Sequence, residues 1–378
     1  MSAYDAEMFN AALQSYEDGN MEEARRRTQD LLALTKDDAE VWCLEAQIRL
    51  ALDDWPAMEF ALDQALMLAP ESSTAHLLQS HLFGANAQPE QACEAARRAV
   101  EFADDKAQEF EALTQLSEST FGLGQKMLED NDDGDDWDDE GPMMTPEISE
   151  IFQEGMSIIK QAIDLDGTQP EAWELYANYL TLFQHKDQAL YAWEKAFELA
   201  PDNPDFLHGM ARALEDIEDF EAANDAYKQL FEMESDIFNG PDAPPLFFAP
   251  DEFAQMAEDA WAEVQHELID EDFPLTFDFT VSVYPDPDSN LIQEANADSL
   301  FDPRAGIHVE LHVDPVAAIS DNAAPPVVEM HLFQRNVERD LEGDDPQELQ
   351  YSLQELLESF VQQIYEYMES GDEDEWDD

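Results

Sequence analysis

"AEVWCLEAQIRLALDDWPAMEFALDQALMLAP" (residues 39–70) and "PEAWELYANYLTLFQHKDQALYAWEKAFELAP" (170–201) are two versions of one pattern. Trp42 aligns with Trp173, Ala46 with Ala177, Ala65 with Ala196 and Pro70 with Pro201, all at one offset. The physical logic is that of a helical hairpin. Small residues stand at the eighth, twentieth and twenty-seventh places, where paired helices approach most closely. Large residues fill the fourth and twenty-fourth places, and the proline stops the second helix, because it cannot continue the hydrogen-bond ladder.

Steps of 34 from residue 5 find more copies: Ala12 and Ala24 in 5–38, Ser80, Ala92 and Ala99 in 73–106, and Ala211, Ala223 and Tyr227 in 204–237. Met58, Leu31 and Leu230 depart from the small-residue rule. Between the copies, 107–169 reads as an expanded hairpin with an acidic insertion at 129–146. The set resembles the tetratricopeptide repeat, a helix-turn-helix unit of that period. About six such hairpins over 5–237 imply a superhelical all-α solenoid, each burying its apolar face on its neighbours.

The resemblance implies a peptide- or protein-binding groove lined by the first helix of each pair. Its positions fall on Phe9, Leu13, Cys43, Gln47, Leu77, His81, Glu174, Asn178, His208 and Arg212. Some repeat proteins grip a terminal carboxylate with lysine and asparagine one turn apart. Here Asn178 is present, but Glu174 stands where lysine is needed, so no such clamp is expected.

"FNGPDAPPLFFAP" (238–250) breaks the repeat and reads as a linker. Beyond it, 251–370 reads as a small α+β domain of one helix, three strands and another helix. Phe253, Ala257, Ala260 and Val264 follow helical spacing, and "LTFDFTVSVYP", "GIHVELHVDP" and "PVVEMHLFQR" alternate as half-buried strands. The closing helix brings Leu349, Leu353, Leu357, Phe360 and Val361. With "MHLFQRNVERDL" leading into that helix, the region resembles the minimal zincin-like metallopeptidases. The resemblance implies a final helix with two zinc-binding histidines around a glutamate. Ser359, Phe360 and Gln363 occupy those places, so the resemblance implies an inactive relative. The tail 371–378 is acidic.

Two further constellations can be tested as metal sites. His308, Glu310 and His312 share one strand face, with His331 on the next strand, although alternation alone also produces a polar outer face. "EDNDDGDDWDDEGP" (129–142) approaches a calcium loop through Glu129, Asn131, Asp133 and Glu140. Its first ligand is Glu instead of Asp, and Gly141-Pro142 interrupts the helix that should follow, so a solvated loop is the expectation. No cofactor is expected.

Ninety acidic residues against 17 basic give a net charge of −73 on 378 residues, with 44% apolar. That apolar share supports a folded core, while the field opposes nucleic acid and anionic membrane, which bind through Lys and Arg. Two readings of the charge stay open: a high-salt surface, favoured because acids run along the whole chain, and a chaperone for basic proteins. Cys43 and Cys93 read as buried, reduced thiols. The segment "MSAYDAEMFNAALQ" lacks a basic start and an apolar core, and no stretch has the length of a membrane span, so a cytoplasmic protein is expected. The function expected is a non-enzymatic protein–protein interaction scaffold. The alternatives are a divergent zincin-like metallopeptidase that recruits substrate through its repeats, and the acidic chaperone.

Overall fold

Hairpin periodicity over the first two thirds predicts paired helices, and paired helices form. The computed structural model describes residues 3–131, 144–238, 245–268, 278–284, 286–287, 301–312, 327–339, 341, 343 and 345–370. The pairs are α1 (Ala3–Glu17) with α2 (Met21–Leu32), α3 (Ala39–Leu50) with α4 (Trp55–Leu68), and α5 (Ser73–Ala85) with α6 (Pro89–Glu101). The expanded hairpin is α7 (Lys106–Asp130) with α8 (Pro146–Leu165). Then come α9 (Pro170–Leu182) with α10 (Lys186–Leu199), and α11 (Pro204–Asp216) with α12 (Phe220–Phe238).

Five of these turns close identically. The amide of Asn20, Asp54, Gln88, His185 or Asp219 donates to the carbonyl five residues back, at 2.8–3.0 Å. The residue before each has positive φ: Gly19, Asp53, Ala87, Gln184 and Glu218. This is the Schellman ending, which satisfies the last carbonyls of the first helix and needs a left-handed residue to do it. Within each run the left-handed residues are 34 apart, so the sequence period is also a backbone period. Only the first is glycine, the residue that takes this conformation without strain.

A second device also repeats. Trp42 Nε1 donates to the Lys36 carbonyl and Trp173 Nε1 to the Gly167 carbonyl, both at 2.9 Å. His76, at the same repeat position, bonds the Pro70 carbonyl at 2.9 Å through Nε2. The fourth-place side chain therefore ties each of these hairpins to the turn before it.

The chain divides into two compact units, Met1–Phe206 and Leu207–Asp378. In the first unit, small residues let the helices meet: Ala46, Ala65, Ala96, Ala162, Ala177 and Ala196 are fully enclosed. Met58, which breaks the small-residue rule, is also fully buried. Gly155 marks the closest approach, where an added Cβ would lie 1.9 Å from the Tyr179 hydroxyl. That hydroxyl donates to the Ser117 carbonyl at 2.7 Å, joining α9 to α7. Cys43 and Cys93 are free and buried, each in the core of a different hairpin group.

In the second unit, α13 (Pro250–Leu268) precedes strands β1 (Asp278–Tyr284), β2 (Ile307–His312) and β3 (Val327–Phe333). Helices α14 (Gln334–Arg339) and α15 (Pro346–Ser370) follow. The sheet order is β1-β3-β2, with β1 parallel and β2 antiparallel to β3. One face meets α13 and α15 through Ile307, Met330, Leu332, Phe253, Ala260, Leu353 and Leu357. Phe360 packs against that core, as its helical period predicts.

The other face differs from the polar outer surface that strand alternation suggests. Phe301 and Phe333 are buried there, with Tyr284 and with Phe231 of α12 packed on them. Tyr284 and Phe333 stand on the non-core side of their strands, and Phe301 supplies a third ring, so this face buries aromatic area of its own. Residues 245–248 are also held in place. Phe248 is buried, and buried Glu338 accepts the amides of Phe247 (2.6 Å) and Phe248 (3.2 Å). No described helix is long and apolar enough to cross a membrane.

Candidate binding groove

The first helices carry the side chains that the repeat assigns to a groove, but they do not all face an open surface. Cys43 is 6 % exposed and belongs to the core around Ala46, Met58 and Leu62. Phe9 and Leu13 pack on Ala12, Ala24 and Leu44. Gln47, Leu77, His81, Glu174 and Asn178 are half-buried.

His81 opens into the feature that matters most in the first unit, a cavity of about 580 Å³ between α5, α7 and the start of α6. Its floor is polar and internally bonded. Gln115 Nε2 donates to Ser119 Oγ at 3.3 Å, and Ser119 Oγ meets Ser80 Oγ at 3.0 Å. Its walls have gaps where side chains would otherwise stand, because a Cβ added at Gly84 or Gly122 would meet nothing within 4 Å. Glu118 forms part of the wall and Glu129 stands at the end of α7. Lys126, the cation among the lining residues, leans to Glu90 at 3.6 Å.

The carboxyls of this face feel their enclosure. Partial burial pushes Glu118 and Glu111 up, with Asp105 adding repulsion to Glu111. Burial also pushes Glu174 up, reinforced by the charges of Asp205, Glu171 and Glu118. In the second unit, burial raises Glu215 on α11, against a lowering hydrogen bond from Tyr227. All four lie on first helices. Glu118 is still exposed to solvent; the concave wall around it displaces water without covering it. His81 goes the other way, its burial favouring the neutral ring.

Sequence reading missed Glu111, Gln115 and Glu118, because the expanded hairpin received no groove positions. The signal was available: 34 residues beyond Leu77 and His81 stand Glu111 and Gln115.

In the second unit, His208 of the last groove pair is already engaged, while Arg212 is exposed. His208 Nε2 meets Asp302 Oδ2 at 2.9 Å, and the Arg304 amide donates to Asp302 Oδ1 at 2.8 Å. Burial alone would raise Asp302. The His208 bond and charge, the Arg304 amide and the charge of Arg212 outweigh it and hold the carboxyl below its ordinary range. Arg304 also pairs with Glu234 of α12 at 2.9 Å, and Asn336 donates to the carbonyls of Pro303 and Ala305 at 2.8 Å. The chain's own 301–305 segment is thus fixed against α11, α12 and α14.

The metal constellations fare unequally. Register pairs His308 with His331, and their rings stack 6.2 Å apart. Glu310 pairs with Glu329, and His312 pairs with Val327, about 13 Å along the strand from His308. The strand therefore sets the backbone positions of His308 and His312 apart. Phe301 covers His308 at 4.8 Å and Tyr284 approaches His331 at 5.6 Å, an aromatic setting. Among the described residues no group of three or more His, Cys, Asp or Glu could hold a metal. Of the calcium-loop residues, Glu129 and Asn131 end α7, while Asp133 and Glu140 lie outside the described residues. Ser359 is exposed, Phe360 is partly buried and packs against the core, and the Gln363 side chain is outside the described set.

Comparison with solved structures agrees with the repeat. PilW, a widely conserved type IV pilus biogenesis factor, superposes with a TM-score of 0.50 at 15% identity, covering 61% of this chain and 94% of that one. PilF of Pseudomonas aeruginosa gives 0.49 at 12% identity, with 61% and 92% covered. A thermophilic TPR protein of Thermus thermophilus gives 0.43 at 18%, with 56% and 98% covered. The fold is a tetratricopeptide solenoid followed by a small α+β domain. At these identities the likeness is one of fold. No protein-family model and no curated protein matches the chain, and no comparison supports a zincin relationship for the last third.

Proposed function

We propose that the chain is a non-enzymatic protein–protein interaction scaffold that receives a partner segment along the first helices of its hairpins. The observation that carries this reading is the cavity beside His81, open on the face where the repeat places ligand contacts. Its volume lies within the range of about 300–1,000 Å³ usual for binding pockets. The test is site-directed photo-crosslinking on the full chain, with the reactive group at Gln125 on the cavity wall or at Phe60, exposed on α4. Partner crosslinks concentrated at Gln125 support the groove; equal or greater yield at Phe60 overturns it.

We read the last helix as scaffold, a domain degenerate at the zincin positions. Phe360, packed against the core, and Ser359 in solvent support this reading. Near-stoichiometric zinc in the purified protein, with proteolysis that a chelator abolishes, would overturn it in favour of a metallopeptidase.

A further inference from the structure

Glycine inside a helix is unfavourable, since it adds backbone freedom to the unfolded chain and buries nothing. Gly122 nevertheless stands inside α7, and Gly84 sits near the end of α5; together they leave space on two walls of one cavity. The carboxylate in that wall, Glu118, makes no hydrogen bond or ion pair within the described residues, and the nearby cation Lys126 is turned to Glu90. Beside it the imidazole of His81 is favoured in its neutral form and adds no charge. A solvent-accessible, uncompensated anion in the wall of an empty volume suits a cation from outside.

We infer that this cavity receives the arginine or lysine side chain of a basic partner segment, with Glu118 as its counter-charge. The inference rests on the scaffold reading above and adds the chemistry of the partner. Lysine and arginine carry an apolar stem and a charged head. The stem would run along Ala85 and Ala87 and the head would reach Glu118, above the bonded floor of Gln115 and Ser119. An acidic side chain would meet repulsion from Glu118 and from Glu174, whose charges already feel each other. The raised carboxyls of Glu111 and Glu174 extend the same preference to either side along the first helices.

The test is fluorescence anisotropy with the full chain and four labelled probes: alternating alanine–arginine, alanine–lysine, alanine–glutamine and alanine–glutamate peptides. Net charge alone would attract basic peptides anywhere, so each is measured at physiological and at high salt, where exposed charges are screened. Basic peptides should bind and the other two should not. Glu118→Gln should weaken binding about tenfold. Gly122→Leu, which plugs the cavity without altering charge, should reduce it below detection. Glu59→Gln, an exposed acid on α4, should change it by less than about twofold. The inference falls if Glu59→Gln costs as much as Glu118→Gln, if Gly122→Leu binds like the parent, or if the glutamine peptide binds as tightly or no probe binds. Crosslinks at Gln125 without basic selectivity would leave the scaffold reading standing and remove this one alone.

Discussion

The first unit and the second bury their apolar residues in different ways. In Met1–Phe206, each core group joins a hairpin to its neighbours: Cys43, Ala46, Leu62, Ala75 and Leu78 come from three successive helices. In Leu207–Asp378, one core gathers Phe253, Ile307, Met330, Leu332 and Leu357, residues far apart in sequence. A repeat stack loses stability piecewise; a sheet with its helices should lose it at once. The final hairpin sits across the distinction. Its sequence continues the 34-residue period, and its turn at Glu218 is the repeat's own, yet Phe231 and Glu234 spend their contacts on the α+β body.

The largest expected effect tests that contrast directly. Phe253→Ala should cost about 3–5 kcal/mol and Leu62→Ala about 2–5 kcal/mol, both by cavity formation. Hydrogen exchange should separate them: Phe253→Ala should loosen β1, β3 and α15 together, whereas Leu62→Ala should loosen α3 to α5 and leave α9 and α10 protected. Uniform loss across the first unit would end the piecewise account.

Next comes the clamp on the last hairpin. Asp302→Ala removes a charge-assisted hydrogen bond to His208, and should cost about 1.5–3 kcal/mol at neutral pH, measured by chemical denaturation. The folded Asp302 carboxyl lies below its ordinary value, so its contribution is present above that value and is lost as pH falls through the lowered one. The penalty of the substitution should shrink over that window.

A smaller effect asks whether the turn is the same object in both units. Gln184 and Glu218 are exposed, non-glycine residues with φ of 56° and 65°. Replacing either by glycine should relieve strain and raise stability by up to about 1 kcal/mol, after glycine's own entropy cost. Equal gains at both sites would show that the turn is local. A gain at Gln184 alone would show that the second unit constrains Glu218.

The smallest effect has the opposite pH sign to the clamp. Glu118 is raised by burial, so folding binds its proton more tightly and stability falls as pH rises from the ordinary carboxyl value through the raised one. Glu118→Gln should therefore stabilise slightly at neutral pH, by no more than about 0.5 kcal/mol, and should do nothing in acid. Loss of stability at neutral pH would mean that Glu118 supports the fold and is not held ready for a ligand.

The repeats were legible because their signal is local and periodic. Trp42, Trp173 and the alanines report helix contacts within one unit of pattern. The strands were legible from alternation, and Phe360 from its helical period. What the second sheet face meets was not. Tyr284, Phe301 and Phe333 become one cluster only through a parallel β1–β3 pairing that no local rule supplies. The repeat register assigned first-helix positions in five hairpins and none in the sixth, where the longer α7 hid the register of Gln115 and Glu118. His208 was assigned to a ligand surface by its repeat place, and nothing near it in sequence announces Asp302.

The two thiols give the stack an internal clock. Cys43 is pushed up to about 11 by burial, and Cys93 is raised by the same cause. Thiolate is the reactive form, so at neutral pH both are chemically silent while their hairpins stay closed. Each can be alkylated only in the moments when its own group of helices opens. Because they sit in different groups, their two labelling rates, read by mass spectrometry on the native chain, time the breathing of adjacent stretches of the stack separately.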